Sequence, residues 1–266
     1  TYIDYNYATD GITGGSVDHT TIDHLTINGN LSLTAKGINF TSGDSLTLTN
    51  NYISVAGSYA IYAEQADYSD ISNNTIVTPS YGIRANDCDY CSINNNDINT
   101  GDGTTGPEHG IYAPSSTEIK VTNNTLVARH HGITVNSSYK ATILKNRITG
   151  DIKYNGINFT SSDSSKVKKN YIYKQHDEYD GDWTYMINGD NSEGSEIISD
   201  TLKSSYSGQD DHYSYVIYCE WSTVDSNFID VDIRGYRYRV IYDERNSNIR
   251  NNYINTYSYV WGDREI

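Results

Sequence analysis

Few side chains in this sequence are of the kinds that move protons or hold cations, and several fall in a small number of polar runs. Glu108 and His109 close the run TGDGTTGPEH, Arg129, His130 and His131 follow KVTNNTLVA, and His176, Asp177 and Asp180 sit in KQHDEYDGDW. Imidazole and guanidinium groups beside carboxylates suit general acid–base work. In such a set a His or Arg takes the C5 proton of a sugar acid while a carboxylate-bound Ca2+ neutralises its charge. Asp210 and Asp211 in SSYSGQDDHY add further oxygen ligands. The candidate catalytic residues are therefore Arg129, His130, His131, His109 and His176, with Glu108 beside them. The candidate Ca2+ ligands are Asp177, Asp180, Asp210 and Asp211. The competing reading is that polar loops collect wherever a fold tolerates insertions, which leaves the chain with no catalytic residue and no cofactor.

Composition narrows the field. The 266 residues carry a formal net charge of −15, which repels nucleic acid and anionic membrane surfaces at long range. No apolar run approaches the length of a membrane span. The sequence starts at Thr1 without Met or a leader and is read as a processed chain or an excised piece. Tyr is abundant, with 26 residues against 3 Phe and 3 Trp, and Tyr suits strands whose outer face is half wet. These features place the chain outside the cell or at its surface. Six Asn-x-Ser/Thr sequons, at Asn30, Asn39, Asn73, Asn123, Asn136 and Asn158, are what an Asn- and Thr-rich sequence produces by chance.

The polar runs interrupt a repeat. SDISNNTI ends at Ile76, SINNNDI at Ile98, KVTNNTL at Leu126, TILKNRI at Ile148, KVKKNYI at Ile172 and SNIRNNYI at Ile254. The Asn of this half recurs at Asn51, Asn74, Asn96, Asn124, Asn146, Asn170, Asn227 and Asn252, with Asp200 filling one gap and Leu25 the place in an earlier, degenerate copy. A second half reads small–Ile, as in Gly82-Ile83, Gly110-Ile111, Gly132-Ile133 and Gly156-Ile157, and continues with larger residues at Met186, Val216 and Val240. From Ile53 to Ile148 the spacings are 23, 22, 28 and 22 residues. A period in the low twenties built of short alternating strands indicates a β-solenoid, whose coils must stack to bury their apolar faces.

In register, each Asn lies about 4.8 Å from the next, where it tolerates a left-handed bend and its amide bonds its neighbour in a ladder. The column two residues beyond the second Ile, running through Phe40, Ala63, Ala85, Ala113, Val135, Phe159, Gly189 and Cys219, is apolar or small, and Asp243 breaks it. The neighbours pointing outward, among them Tyr62, Arg84, Tyr112, Thr134, Tyr218 and Tyr242, are polar or Tyr, as the period of a strand demands. The expectation is all-β: a single-stranded parallel β-helix of about ten turns with 22–30 residues each, one domain over 1–266, with edge insertions near 99–109, 174–184 and 203–214.

This pattern resembles the right-handed parallel β-helix repeats of pectate-lyase-like and NosD-type proteins over roughly residues 10–260. The right hand is implied by that resemblance. The architecture hosts lyases, hydrolases, epimerases, tailspikes, adhesins and surface layers alike. The style of GSYAIYAEQADYSDISNNTI is similar to surface proteins of methanogenic archaea, both adhesin-like and sheath-forming.

Three Cys, at 88, 91 and 219, leave one thiol over in an oxidising compartment. Cys88 and Cys91 are the disulfide candidates, as a local pair or as exposed handles for a neighbouring molecule. Cys219 lies about five turns away, beyond the span of a disulfide. The terminal stretches TYIDYNYATDG and NTYSYVWGDREI read as strand without a capping turn, an invitation to associate. The leading expectation is a non-enzymatic extracellular building block of a sheath or surface layer, or an adhesin segment, that polymerises with copies of itself and touches surface glycans. The alternative is a polysaccharide lyase, epimerase or tailspike depolymerase acting on acidic glycans at the His/Arg/acid edge.

Overall fold

A computed structural model describes residues 2–5, 10–29, 35–101, 108–176, 184–206, 213–232, 237–243 and 245–257. All pairings between its strands are parallel, and among the described residues they form three sheets of eleven, ten and ten strands with no helix. Each coil adds one strand to every sheet. One coil, for example, places Tyr81–Asn86 in the second sheet, Ser92–Asn94 in the third and Asp97–Asn99 in the first.

The repeat becomes three apolar files inside the coil. Ile53, Ile76, Ile98, Leu126 and Ile148 stand in register in the first sheet. Ile61, Ile83, Ile111, Ile133 and Ile157 do so in the second, and Ile71, Ile93, Val121, Ile143 and Val167 in the third. All are 0–1% exposed, so each adds about 1.5–3 kcal/mol of burial. The small partner before the second Ile follows from close approach. A Cβ on Gly132 would lie 2.4 Å from the Gly156 carbonyl oxygen and 2.6 Å from Ile148, closer than packed atoms come.

The Asn corner divides its labour between two residues. The left-handed backbone belongs to the residue before the ladder Asn: Asn73 has φ 56°, Asn95 60°, Asn123 55° and Lys145 57°. This corrects the expectation that the ladder Asn itself takes that conformation. Asn74, Asn96, Asn124 and Asn146 turn inward and are 1% exposed. Asn96 Nδ2 donates to Asn124 Oδ1 at 3.0 Å and to the Ile71 carbonyl at 2.9 Å, while its backbone N–H donates to the same Asn124 oxygen at 2.9 Å. Leu25 lacks an amide, yet its N–H still donates to Asn51 Oδ1 at 3.0 Å.

Two irregularities resolve locally. Asp243 keeps the register opposite Cys219 and accepts from the N–H groups of Arg245 and Ser247 at 3.1 and 2.8 Å, so it caps the following corner. Cys88 and Cys91 are free and fully buried, which overturns the expectation of exposed handles for a neighbouring molecule. Their thiols donate inward to the Ala63 and Ala66 carbonyls at 3.5 and 3.0 Å. Cys219 is also buried. Among the described residues no helix is long and apolar enough to cross a membrane.

Candidate functional site

The site lies where the corner between the first and second sheets meets the outer face of the second. In the strand His109–Tyr112 strict alternation is broken, because Gly110 and Ile111 both turn to the core and leave the His109 and Tyr112 rings together at 4.8 Å, and the register sets His109 opposite His131 and Tyr112 opposite Thr134. Tyr81, one coil earlier, and Tyr154, one coil later, extend the file. The rings stack: Tyr81 on His109 at 5.1 Å, His109 on His131 at 4.3 Å and His131 on Tyr154 at 5.0 Å, each pair within 18° of parallel. Such a stack fixes imidazoles that would otherwise rotate freely.

One residue back, at the corner, Glu108 stands over His130. The Glu108 N–H donates to His130 Nδ1 at 3.3 Å, and Glu108 Oε2 lies 3.3 Å from the same nitrogen. With Nδ1 accepting, the proton of the neutral ring is on Nε2. Glu108 is 2% exposed and neither carboxyl oxygen has a hydrogen-bond partner. Burial pushes its pKa up to about 7, although Arg129 and Lys153 pull the other way. An acid that titrates near neutrality thus stands 3.3 Å from an imidazole nitrogen whose lone pair is turned to the backbone N–H, a placement suited to general acid–base work.

The adjoining imidazoles are held neutral. His109 Nδ1 shares a hydrogen bond of 2.9 Å with Thr134 Oγ1, and burial holds its pKa well below the ordinary value, helped by His131, His130 and Arg84. Asn155 Nδ2 lies 3.3 Å from His131 Nδ1. Burial lowers His131 to about 4, with the charges of His130 and Lys174 acting in the same direction. On the Tyr81 side Arg84 reaches the Tyr59 hydroxyl at 2.8 Å and lies over the Tyr59, Tyr62 and Tyr112 rings at 5.3–5.5 Å.

Buried polar atoms in a folded protein are nearly always paired. Here Arg84 Nε, both Glu108 carboxyl oxygens and Asn155 Oδ1 are buried without a partner; Arg84 and Glu108 belong to adjacent coils of the second sheet and its entry corner, and Asn155 lies two coils beyond Glu108. They offer one donor and several acceptors on the face that carries the ring stack.

The structure thus brings together Glu108, His109, Arg129, His130 and His131 from two runs that are twenty residues apart in sequence. The strand Tyr171–His176 belongs to the first sheet. The side chain of His176 and the residues Asp177, Asp180, Asp210 and Asp211 lie outside the described residues. Among the described residues no three His, Cys, Asp or Glu side chains converge to hold a metal ion. Tyr81, Tyr154 and Asn155 escaped sequence reasoning. Their signal is positional: each falls one or two residues before the small–Ile pair or its equivalent, where the sequence pattern was not followed.

The family model described as "Right handed beta helix region" matches residues 10–172, and no curated protein matches the chain. Among solved structures, the catalytic domain of a GH87 α-1,3-glucanase in complex with tetrasaccharides is 15% identical at a TM-score of 0.52, over 95% of this chain and 56% of that one. DFA-IIIase from Arthrobacter chlorophenolicus A6 in complex with GF2 is 16% identical at a TM-score of 0.49, over 86% and 55%. The chain spans just over half the length of the structures it resembles, and at these identities the likeness is one of fold.

Proposed function

The chain belongs to the right-handed β-helix family, and on that premise we propose that it is a carbohydrate-active protein working outside the cell. A glycan lies along the outer face of the second sheet, and the Glu108–His130 pair transfers a proton at its middle. The observation that carries this reading is the row of buried, unpartnered polar atoms on Arg84, Glu108 and Asn155, spread over four coils of one sheet and its entry corner. Sugar hydroxyls, ring oxygens and carboxylates are the groups that would pair with them.

Arg129 and Lys153 act on Glu108, and Arg84 acts on His109, along one stretch of a chain of net charge −15, which favours an acidic glycan. His130, whose side chain is 13% exposed against 3% for Glu108, is the member within reach of a ligand. In the proposed step Nδ1 exchanges the Glu108 backbone N–H for the Glu108 carboxyl proton as Nε2 gives its own proton to the sugar, leaving Glu108 a carboxylate. Ca2+ as a helper stays a proposal that rests on the acidic runs alone.

The self-associating surface block draws less support. It leaned on uncapped ends, an acidic surface, Tyr-studded faces and an exposed thiol together, and the last of these is lost because Cys88 and Cys91 are buried. The test is a panel of acidic and neutral polysaccharides assayed for new reducing ends and for the ultraviolet absorbance of unsaturated products. Turnover on an acidic glycan that falls about 10²–10⁴-fold in His130→Ala, with binding retained, is the expected result. No turnover on any member, or turnover indifferent to His130, overturns the reading.

A further inference from the structure

The inward file of the first sheet that follows the Ile column runs through Thr78, Thr100, Ala128, Gly150, Lys174 and Ser204, with Gly150 and Ser204 in register on either side of Lys174. A lysine is out of place there. Lys174 is 7% exposed, and burial lowers its pKa to about 7 while Asp151 pulls it back. A buried amine persists only where its N–H groups find acceptors. Its Nζ donates to the Lys153 carbonyl at 3.2 Å and to the Tyr154 carbonyl at 3.4 Å.

Those two carbonyls belong to a corner of unusual length. Two residues separate Ala128 from His131, whereas four separate Gly150 from Asn155. The extra chain carries Tyr154, whose ring stacks on His131 at 5.0 Å and tilts against His130 at 5.7 Å. Lys174 reaches this corner from beneath, and His131 feels its charge.

We propose that Lys174 is a positioning residue of the site: its two donations lock the 150–155 corner so that the Tyr154 ring is held against His130 and His131. The inference rests on the proton-transfer reading only for its purpose, since the geometry it claims is measurable without any glycan. The Lys153 backbone N–H bonded to the Arg129 carbonyl at 2.7 Å and the Tyr154 N–H bonded to the His130 carbonyl at 3.0 Å make the same corner the scaffold of the basic side chains.

The experiment follows the imidazole proton resonances of His130 and His131 by NMR across pH in the wild type, Lys174→Met, Lys174→Gln and Tyr154→Leu. Lys174→Met should erase the ring-current displacement that Tyr154 imposes on both imidazoles, as Tyr154→Leu does, and should raise the His131 titration midpoint. The groups that face His131 are His109, His130, Asn155, Tyr154 and Lys174; Lys174→Met removes the charge of the last and frees the Tyr154 ring, and both changes raise the midpoint. Lys174→Gln keeps a donor without the charge, so it should preserve the displacement and still raise the midpoint; it also stands in if the Met variant does not fold. Unchanged imidazole resonances and an unchanged His131 midpoint in the folded variants, whatever the loss of stability, would show Lys174 to be filler and sink the proposal. Failure to turn over a glycan would leave these readings intact.

Discussion

Asn170 spends two of its three N–H donors on a single oxygen of Asp200: its backbone N–H lies 2.6 Å and its Nδ2 2.9 Å from Asp200 Oδ1. Elsewhere in the ladder the second side-chain atom is an amide nitrogen that donates to a carbonyl three residues before the Asn of the preceding coil, as Asn170 does to Ile143 and Asn227 to Ile197. At Asp200 that atom is Oδ2, buried and unpartnered. An acceptor stands where a donor belongs.

Asp200→Asn should therefore stabilise the protein. Burial raises the Asp200 pKa to about 7 from the ordinary carboxylate value of 3.8, so the folded state binds a proton that the unfolded state gives up. Stability then falls as pH rises from about 4 to 7 and stays reduced above, by an amount on the order of 4 kcal/mol. The variant should match the wild type near pH 3 and gain most of that figure at pH 8. Urea midpoints at the two pH values check this; an equal gain at both would contradict it.

The two Asn of one corner should differ sharply. Asn124→Ala removes the acceptor for two donors of Asn96 and the donors to Ile93 and Asn146, leaving buried groups unpaired at a cost on the order of 3 kcal/mol. Asn123 is exposed and bonds Asn94 at the surface. Its left-handed φ of 55° predicts that Asn123→Gly is within about 0.5 kcal/mol of neutral, while Asn123→Val is costly. Thermal unfolding of the three variants orders them.

Gly132→Ala places a methyl group against the Gly156 carbonyl. The coils must part locally, and a loss of about 1–3 kcal/mol is expected. The same change at Gly15, where the nearest atom would lie at 3.6 Å, should be tolerated. Chemical denaturation of both variants reads the difference.

If Glu108 holds the transferred proton, catalysis should fade on the alkaline side. The group is protonated below its pKa of about 7 and charged above it, so turnover that needs the acid should drop tenfold per pH unit beyond that point. Glu108→Gln should remove the limb along with most of the rate. A pH–rate profile that stays flat from 6 to 9 would assign the proton elsewhere.

Thiol reagents should find little in the native protein. Burial pushes Cys219 up to about 12, and Cys88, hydrogen-bonded to Cys91, rises as well. Labelling should reach all three only on unfolding, without formation of intermolecular disulfide at any stage of native storage.

Much of the fold was legible because a solenoid writes its register into the sequence. The recurrence of Ile61, Ile83 and Ile111 announces a column, and the columns align as the spacing implies. The division of the corner was not legible, because Asn73 and Asn74 are the same residue type in opposite roles, one bent left-handed at the surface and one buried in the ladder. Of the site, Glu108, His130 and His131 were marked by residue type alone. Tyr154 was missed because its corner is two residues longer than the one before, so the count slips there. Lys174 was missed because an inward lysine reads as a surface residue until the acceptors beneath it are known.

Each coil touches only the one before and the one after, which makes the outer face a ruler graduated in units of strand spacing. Removing the one coil that carries Tyr185, between the imidazole stack and the stacked Tyr215 and Tyr242 further along, would draw the two stacks closer by about 4.8 Å and leave the ring contacts within each in place. The distance between a reactive centre and a distant hold on the same polymer becomes a countable property, adjustable in whole steps by duplication or loss of a single copy.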